Sequence, residues 1–212
     1  AQRFGAKDKE GVKVSVANGI LLSLIFTVAI SALSMISMHG LLKLMNTPDN
    51  IFQDAYTYIM IISAGIIATI FYNLFSSYLR AVGNSRTPLV FLVFSAVLNV
   101  ILDLVFIINF KMGVAGAASA TILSQGISAI LCLVYIYTKM PALAPNRHHW
   151  KLHSKESRHQ LAMGIPMALQ FAITASGTMV MQSAINLFGS TAVAAFTAAN
   201  KVQNLVTQGM IA

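Results

Sequence analysis

Asp103 is the only ionisable residue between Leu89 and Phe110, an otherwise uncharged run. Asn99 lies four residues before it and Ser95 four before that, so on a helix the three share one face. A tight turn centred near Lys111 then reverses the chain. Thr121 follows that turn at about the distance by which Asp103 precedes it, roughly 13 Å of helix at ~1.5 Å per residue. A carboxylate, an amide carbonyl and a hydroxyl at matched depth form a hard-oxygen donor set. Such a set suits Na⁺, or a proton held on the carboxylate itself. The alternative is structural: the same groups can hydrogen-bond to lock two helices together. An aspartate with two partners at one depth favours the ion or proton site.

Other polar residues at helical spacing are weaker candidates. Tyr58, Gly65, Thr69 and Asn73 fall along one stripe, which would either line a water-filled cavity or form a packing seam. Gln170 and Thr174 share one face of a later run, and Gln182 and Asn186 share another. Asn200, Lys201, Gln203, Asn204 and Gln208 make a polar start to the last run, part of which must face protein or water. Lys201 is either a substrate or counter-ion contact or a stem snorkelling to the interface. From these sets we take Tyr58, Asn73, Gln170, Thr174, Asn200 and Lys201 as candidates for lining a substrate cavity. Gly113, Gly116, Ala117 and Ala120 read as a close-packing surface instead.

His148, His149 and His153 lie in a polar, proline-containing stretch with no companion cysteine or acidic pair at ligand spacing. They read as a solvated loop, not as a metal site. His39 has no evident partner and reads as interfacial. The lone cysteine, Cys132, cannot make an intramolecular disulfide. No phosphate-binding glycine loop, nucleophile elbow or zinc motif occurs, so nothing asks for catalysis or for a cofactor beyond a coupling ion.

The elements that must position these groups follow from composition. The 212 residues are 57% hydrophobic and 9% charged, against roughly 25% charged in a soluble domain. That leaves too little charge to coat a water-soluble surface. It excludes a soluble enzyme, a nucleic-acid module or a disordered tail as the first reading, despite the net charge of +8. Apolar runs cover 14–45, 51–79, 89–110, 114–137 and 161–188, and a sixth opens near Ala192. A bilayer core of roughly 30 Å needs about 20 helical residues, which the first five supply. Period-2 alternation is absent. The fold class is therefore an all-α, multi-pass membrane bundle in contact with the lipid bilayer. The breaks between runs carry turn residues, among them Asn46-Thr47-Pro48-Asp49-Asn50, Gly83-Asn84-Ser85-Arg86-Thr87-Pro88 and Phe188-Gly189-Ser190. The long connector 139–159 holds Pro141, Pro145, Trp150 and four histidines, and it marks a domain boundary.

Lys and Arg counts on alternate sides are eleven against two, with Lys201 inside the last span. The positive-inside rule then makes residues 1–13, 80–88 and 139–159 cytoplasmic. The sequence opens at Ala1 without a methionine and stops within an apolar run, which reads as an internal segment of a longer protein.

Tyr72-Asn73, then Leu79-Arg80-Ala81-Val82-Gly83-Asn84-Ser85-Arg86-Thr87-Pro88, then Leu98-Asn99-Val100-Ile101-Leu102-Asp103, resemble the multidrug and toxic compound extrusion (MATE) family. So do Gln2-Arg3-Phe4-Gly5-Ala6, Gly113-Val114-Ala115-Gly116-Ala117-Ala118 and Gly164-Ile165-Pro166. The order and spacing are most similar to the bacterial branch related to DNA-damage-inducible, DinF-type transporters. The resemblance implies twelve helices in two six-helix lobes related by an internal repeat. It would make residues 1–138 the end of the N-lobe (the end of helix 2 and helices 3 to 6). Residues 139–159 would be the cytoplasmic inter-lobe linker, and 160–212 helix 7 with part of helix 8. It also implies that Asn99, Asp103 and Thr121 are the family's N-lobe cation-site residues. A glutamate that some members carry on helix 7 has no counterpart here. Where the family has Gly-Asp-Ser after the arginine, this chain has Gly83-Asn84-Ser85.

The function expected on these grounds is a Na⁺- or H⁺-coupled antiporter that exports organic cations, drugs or amphiphiles across the cytoplasmic membrane. Its partners would be small organic molecules and lipid, with no nucleic acid and no obligate protein. The alternative is a flippase for lipid-linked saccharides from a related superfamily, which would need a wide cationic cavity that only Lys201 hints at.

Overall fold

The computed structural model describes residues 2–45, 47, 49–186 and 188–211, so Asn46 and Pro48 of the first turn lie outside the described residues. After a short helix α1 (Gln2–Gly5) come α2 (Lys9–Leu44), α3 (Asp49–Ala81) and α4 (Arg86–Leu104). Helix α5 (Gly113–Lys139), α6 (Ser154–Asn186) and α7 (Ser190–Ile211) complete the order, and no strand occurs among the described residues. Five helical rods are long and apolar enough to cross a bilayer.

The helices outrun the apolar runs because capping and polar turns extend them beyond the greasy part. Asp8 caps α2 by accepting a hydrogen bond from the Gly11 N–H at 2.9 Å, six residues before the apolar run begins. Helix α6 starts at Ser154, so the non-regular connector is 140–153 apart from a 3₁₀ turn at Arg147–His149. Residues 154–159, read from composition as linker, already wind as helix. Helix α3 ends on Gly83 at φ +88°, with the Asn84 N–H reaching back to the Leu79 carbonyl at 3.0 Å. Asn84 then accepts from the Thr87 N–H at 3.2 Å and donates to the Thr87 hydroxyl at 2.9 Å, pinning the start of α4. The asparagine thus serves as a turn and capping residue without a carboxylate.

Helix α5 packs against both α3 and α4, and α2 covers α3. The apolar core gathers at one end: Val12, Val16 and Ile20 of α2, Tyr72, Phe75 and Leu79 of α3, Cys132 and Ile136 of α5, and Leu143 of the connector. Along the rest of the rods large apolar side chains face outward, as at Ile36, 82% exposed, and Ile173, 72% exposed. That inversion is what a bilayer solvent requires.

Helix α6 meets α2 only at its polar start. Asn18 is fully buried; its Oδ1 accepts from the His153 N–H at 2.9 Å and the Ser157 hydroxyl at 3.2 Å, and its Nδ2 donates to Gln160 Oε1 at 3.1 Å. Gln160 Nε2 returns a bond to the Ser15 carbonyl at 3.0 Å. Glu156 accepts from the Ser15 hydroxyl at 2.9 Å and pairs with Arg3.

His148 and His153 are exposed, as the solvated-loop reading expects, but His149 departs from it. His149 is buried at 3% exposure, and an acidic partner comes from far away in sequence: its Nε2 lies 2.7 Å from Glu10 Oε2. That bond holds the Glu10 carboxyl, which sits ahead of the apolar run, below the usual carboxylate range. The Nδ1 of His149 accepts from the Asn146 N–H at 3.0 Å. Its proton must therefore sit on Nε2, donating to Glu10, so no lone pair faces the carboxylate and His148. The trio Glu10, His148 and His149 lies close enough together to hold an ion. The imposed tautomer makes it an anchor for the connector instead. His39 also has neighbours that its sequence did not show, stacking edge-on with Phe52 at 5.4 Å and Tyr56 at 6.0 Å.

Two outcomes follow. Asn18→Ala removes three hydrogen bonds of a fully buried side chain, so it should cost about 1–3 kcal/mol of stability, read as a lowered melting temperature in detergent. Zinc or a chelator should leave the melting temperature of the wild-type protein unchanged, and a zinc-dependent rise would show that His149 adopts the other tautomer.

Candidate functional site: an oxygen-lined cleft between two antiparallel helices

Helices α4 and α5 are antiparallel and joined by the tight turn at 110–112, where Lys111 takes φ +54° and Gly113 the same value. Small residues let them approach. Ala118 and Ala120 are fully buried, and a Cβ on Gly116 would press to 3.1 Å of the Phe106 and Met112 side chains. On the other face of α5, a Cβ on Gly65 of α3 would collide with the Ile122 side chain. Of the small residues read from the sequence as a packing surface, Gly116 and Ala120 are closely surrounded, whereas nothing lies within 4 Å of a Cβ placed on Gly113; Gly65 belongs to the seam between α3 and α5.

Within this cleft the structure brings Asn99 and Thr121 together. Asn99 Nδ2 donates to Thr121 Oγ1 at 3.5 Å, a long bond. The Thr121 hydroxyl proton goes to the Ala117 carbonyl of its own helix at 3.0 Å. Its oxygen therefore acts as an acceptor toward α4. Asp103 sits one turn beyond Asn99, half-buried, and its Oδ1 is shielded yet has no hydrogen-bond partner. Immediately after it the chain leaves α-helical winding for a π-helical stretch, Val105–Asn109. Such stretches shift backbone register locally and recur at functional sites.

A cavity of about 220 Å³ opens beside the Asn99–Thr121 contact, lined by Ser95, Asn99, Thr121, Ser124 and Gln125. Ser95 and Ser124 are buried. Gln125 Oε1 shares the condition of Asp103 Oδ1: it is shielded and has no partner among the described residues. Sequence reading passed over Ser124 and Gln125. The signal was present, because Thr121, Ser124, Gln125 and Ser128 recur at i, i+3, i+4 and i+7 on α5. Neutral side chains simply draw less notice than a carboxylate.

The six candidates for a wider substrate cavity are placed elsewhere. Tyr58 and Asn73 are on exposed faces of α3, and Asn73 Nδ2 donates to the Thr69 carbonyl at 2.9 Å. Gln170 and Thr174 are exposed on α6, with the Thr174 hydroxyl bonded to the Gln170 carbonyl at 3.0 Å. Asn200 is half-exposed and Lys201 exposed on α7. Across α2, α3 and the start of α6 there is a mainly apolar cavity of about 440 Å³ with Ser23, Thr27, Tyr78 and Gln160 on its wall. None of the six lines either cavity.

Comparison with known proteins places this geometry. The MatE family model matches residues 1–105. The probable multidrug resistance protein YpnP of Bacillus subtilis (strain 168) is 34% identical over 209 residues, 98% of this chain and 46% of the relative. The chain thus spans about half the length of the curated relatives it matches. An inward-facing structure of a multidrug resistance MATE family transporter of the MOP superfamily superposes with a TM-score of 0.87 at 27% identity, over 97% of this chain and 47% of that one. An outward-facing structure of such a transporter gives 0.82 at 27% identity, over 96% and 46%. With five rods among the described residues long and apolar enough to cross a bilayer, an oxygen-lined cleft between α4 and α5, and relatives that match nearly the whole of this chain, the chain belongs to the MatE family of multi-pass membrane proteins.

Proposed function

We propose that the protein is an antiporter that couples entry of a monovalent cation, Na⁺ or H⁺, to export of organic cations, drugs or amphiphiles. The observation that carries this is the partnerless, shielded Oδ1 of Asp103 one turn from the Asn99–Thr121 contact. A carboxylate oxygen withdrawn from water is costly unless something positive meets it. A cation or proton arriving from outside supplies that charge. Asn99 and Thr121 then offer neutral oxygens about one helical turn away, and no resident cofactor or protein partner is required.

Coupling follows from differential affinity: a cation that binds one conformation better shifts the population toward it. Binding at Asp103 favours the state that releases substrate outward, and loading of substrate from the cytoplasm favours the other. The mainly apolar cavity between α2, α3 and α6, with its few polar groups, suits an amphiphile better than a strongly polar solute. The names of the relatives, as multidrug resistance proteins, support the direction of transport. The lopsided charge count supports residues 1–13, 80–88 and 139–159 on the cytoplasmic side, with 139–159 joining the two lobes.

Asp103→Asn should abolish gradient-driven efflux in membrane vesicles while insertion and expression stay normal; wild-type transport in that variant refutes the assignment. Thr121→Val removes one hydroxyl and should raise the half-saturating cation concentration about tenfold, the equivalent of ~1.4 kcal/mol, with the maximal rate largely kept. Imposing a pH gradient and a sodium gradient separately on the same vesicles identifies the coupling ion.

A further inference from the structure

We propose that Gln125 is a second cation ligand: its amide oxygen, with Ser124 and Ser95, forms an uncharged station one helical turn inward of the Asn99–Thr121 contact. The proposal rests on Asp103 as the cation-binding carboxylate and extends that site along α5.

Three observations converge on it. Gln125 Oε1 is shielded from solvent and meets no donor. A buried amide acceptor without a donor is uncommon and calls for an explanation. Next, the hydroxyl protons along this stripe of α5 are already committed to main-chain carbonyls: Thr121 to Ala117 at 3.0 Å, Ser124 to Thr121 at 2.9 Å, and Ser128 to Phe91 at 3.4 Å. Their oxygens therefore present lone pairs toward the cleft. With the amide oxygen of Gln125 added, the lining on this side is rich in acceptors, which a cation matches and an anion does not. Third, the cavity between these groups, about 220 Å³, is large enough for a small ion with a few waters, each of which takes roughly 30 Å³. It is smaller than the roughly 300–1,000 Å³ typical of sites for drug-sized molecules.

The geometry separates two stations. Because α4 and α5 are antiparallel, Asp103 and Gln125 lie four residues to opposite sides of the Asn99–Thr121 contact. At ~1.5 Å per residue they are offset by about 12 Å along the helices. One ion cannot touch both. A charged outer station and a neutral inner one let a cation bind firmly at Asp103 and then pass inward to ligands that hold it less tightly. Asn99 and Thr121 are shared between them.

Equilibrium binding of sodium, against choline as control, to the full-length protein in lipid nanodiscs tests this. Gln125→Leu is expected to weaken the second, weaker phase of sodium binding about tenfold, with the tight Asp103 phase and the melting temperature in choline unchanged. Gln125→Glu, which keeps the length and adds a negative charge, is expected to tighten it. Wild-type affinity in both variants, or weakening in both, overturns the ligand role of Gln125; the latter marks the residue as structural. If either occurs while Asp103→Asn abolishes sodium binding, the carboxylate site stands without the inner station. A tight phase of sodium binding that survives Asp103→Asn overturns the carboxylate site and this inference with it.

Discussion

Hydrocarbon supplies no hydrogen-bond partners, so every polar atom carried into it must be met by the protein itself or by what the protein transports. This chain meets the demand in two different ways. At the start of α6, Asn18 is buried with both its oxygen and its nitrogen engaged, and Gln160 and Glu156 are engaged in turn. In the cleft between α4 and α5, Asp103 Oδ1 and Gln125 Oε1 are equally shielded but unmet. Saturated polar residues are architecture. Among the described residues, the two buried side-chain acceptors left without a donor lie about one helical turn to either side of the Asn99–Thr121 contact.

The fold was legible in the sequence because bilayer thickness leaves so few solutions. Long uncharged runs of about 20 residues or more can only be helices, and turn residues between them fix their number. The meeting of α4 and α5 near Asn99 and Thr121 was legible for a related reason, since a tight turn makes residue count a measure of depth. The count set Asp103 level with Thr121, whereas the structure sets Asn99 there and Asp103 one turn away. What escaped was set by contacts distant in sequence. Glu10 and His149 are 139 positions apart, and neither spacing nor composition announces their bond. The start of α6 was hidden because its first turns are charged and look like linker, although Asn18 and Ser15 of α2 receive them. Ser124 and Gln125 escaped because a neutral side chain becomes informative only once its missing partner is known.

Small residues link packing to chemistry. Gly116 allows α5 to lie close against the π-helical stretch and turn that follow α4, and Gly65 allows close approach between α3 and α5. Close backbones are what bring side chains as short as threonine and serine within reach across the cleft. A larger residue at 116 would press on Phe106, inside the π-helical stretch that follows Asp103. The site is thus held by van der Waals contact between rigid rods, and its oxygens are oriented by hydrogen bonds to their own helix.

The joint between α2 and α6 has the opposite character, and the difference bears on movement. Beyond its first turns α6 is exposed, so its hold on the preceding helices is almost wholly polar. A hydrogen bond exchanged for one to water changes stability by only about 0.5–1.5 kcal/mol net. Contacts of that kind can be broken and remade at modest cost where water can replace them. An apolar interface of similar extent would instead have to expose its whole area. Solved relatives of this fold occur in inward-facing and outward-facing forms, and this chain superposes on both. A tightly packed α3–α4–α5 unit that carries the oxygens, next to a polar joint that can open, allows one part to move while the ligand geometry of the other is kept.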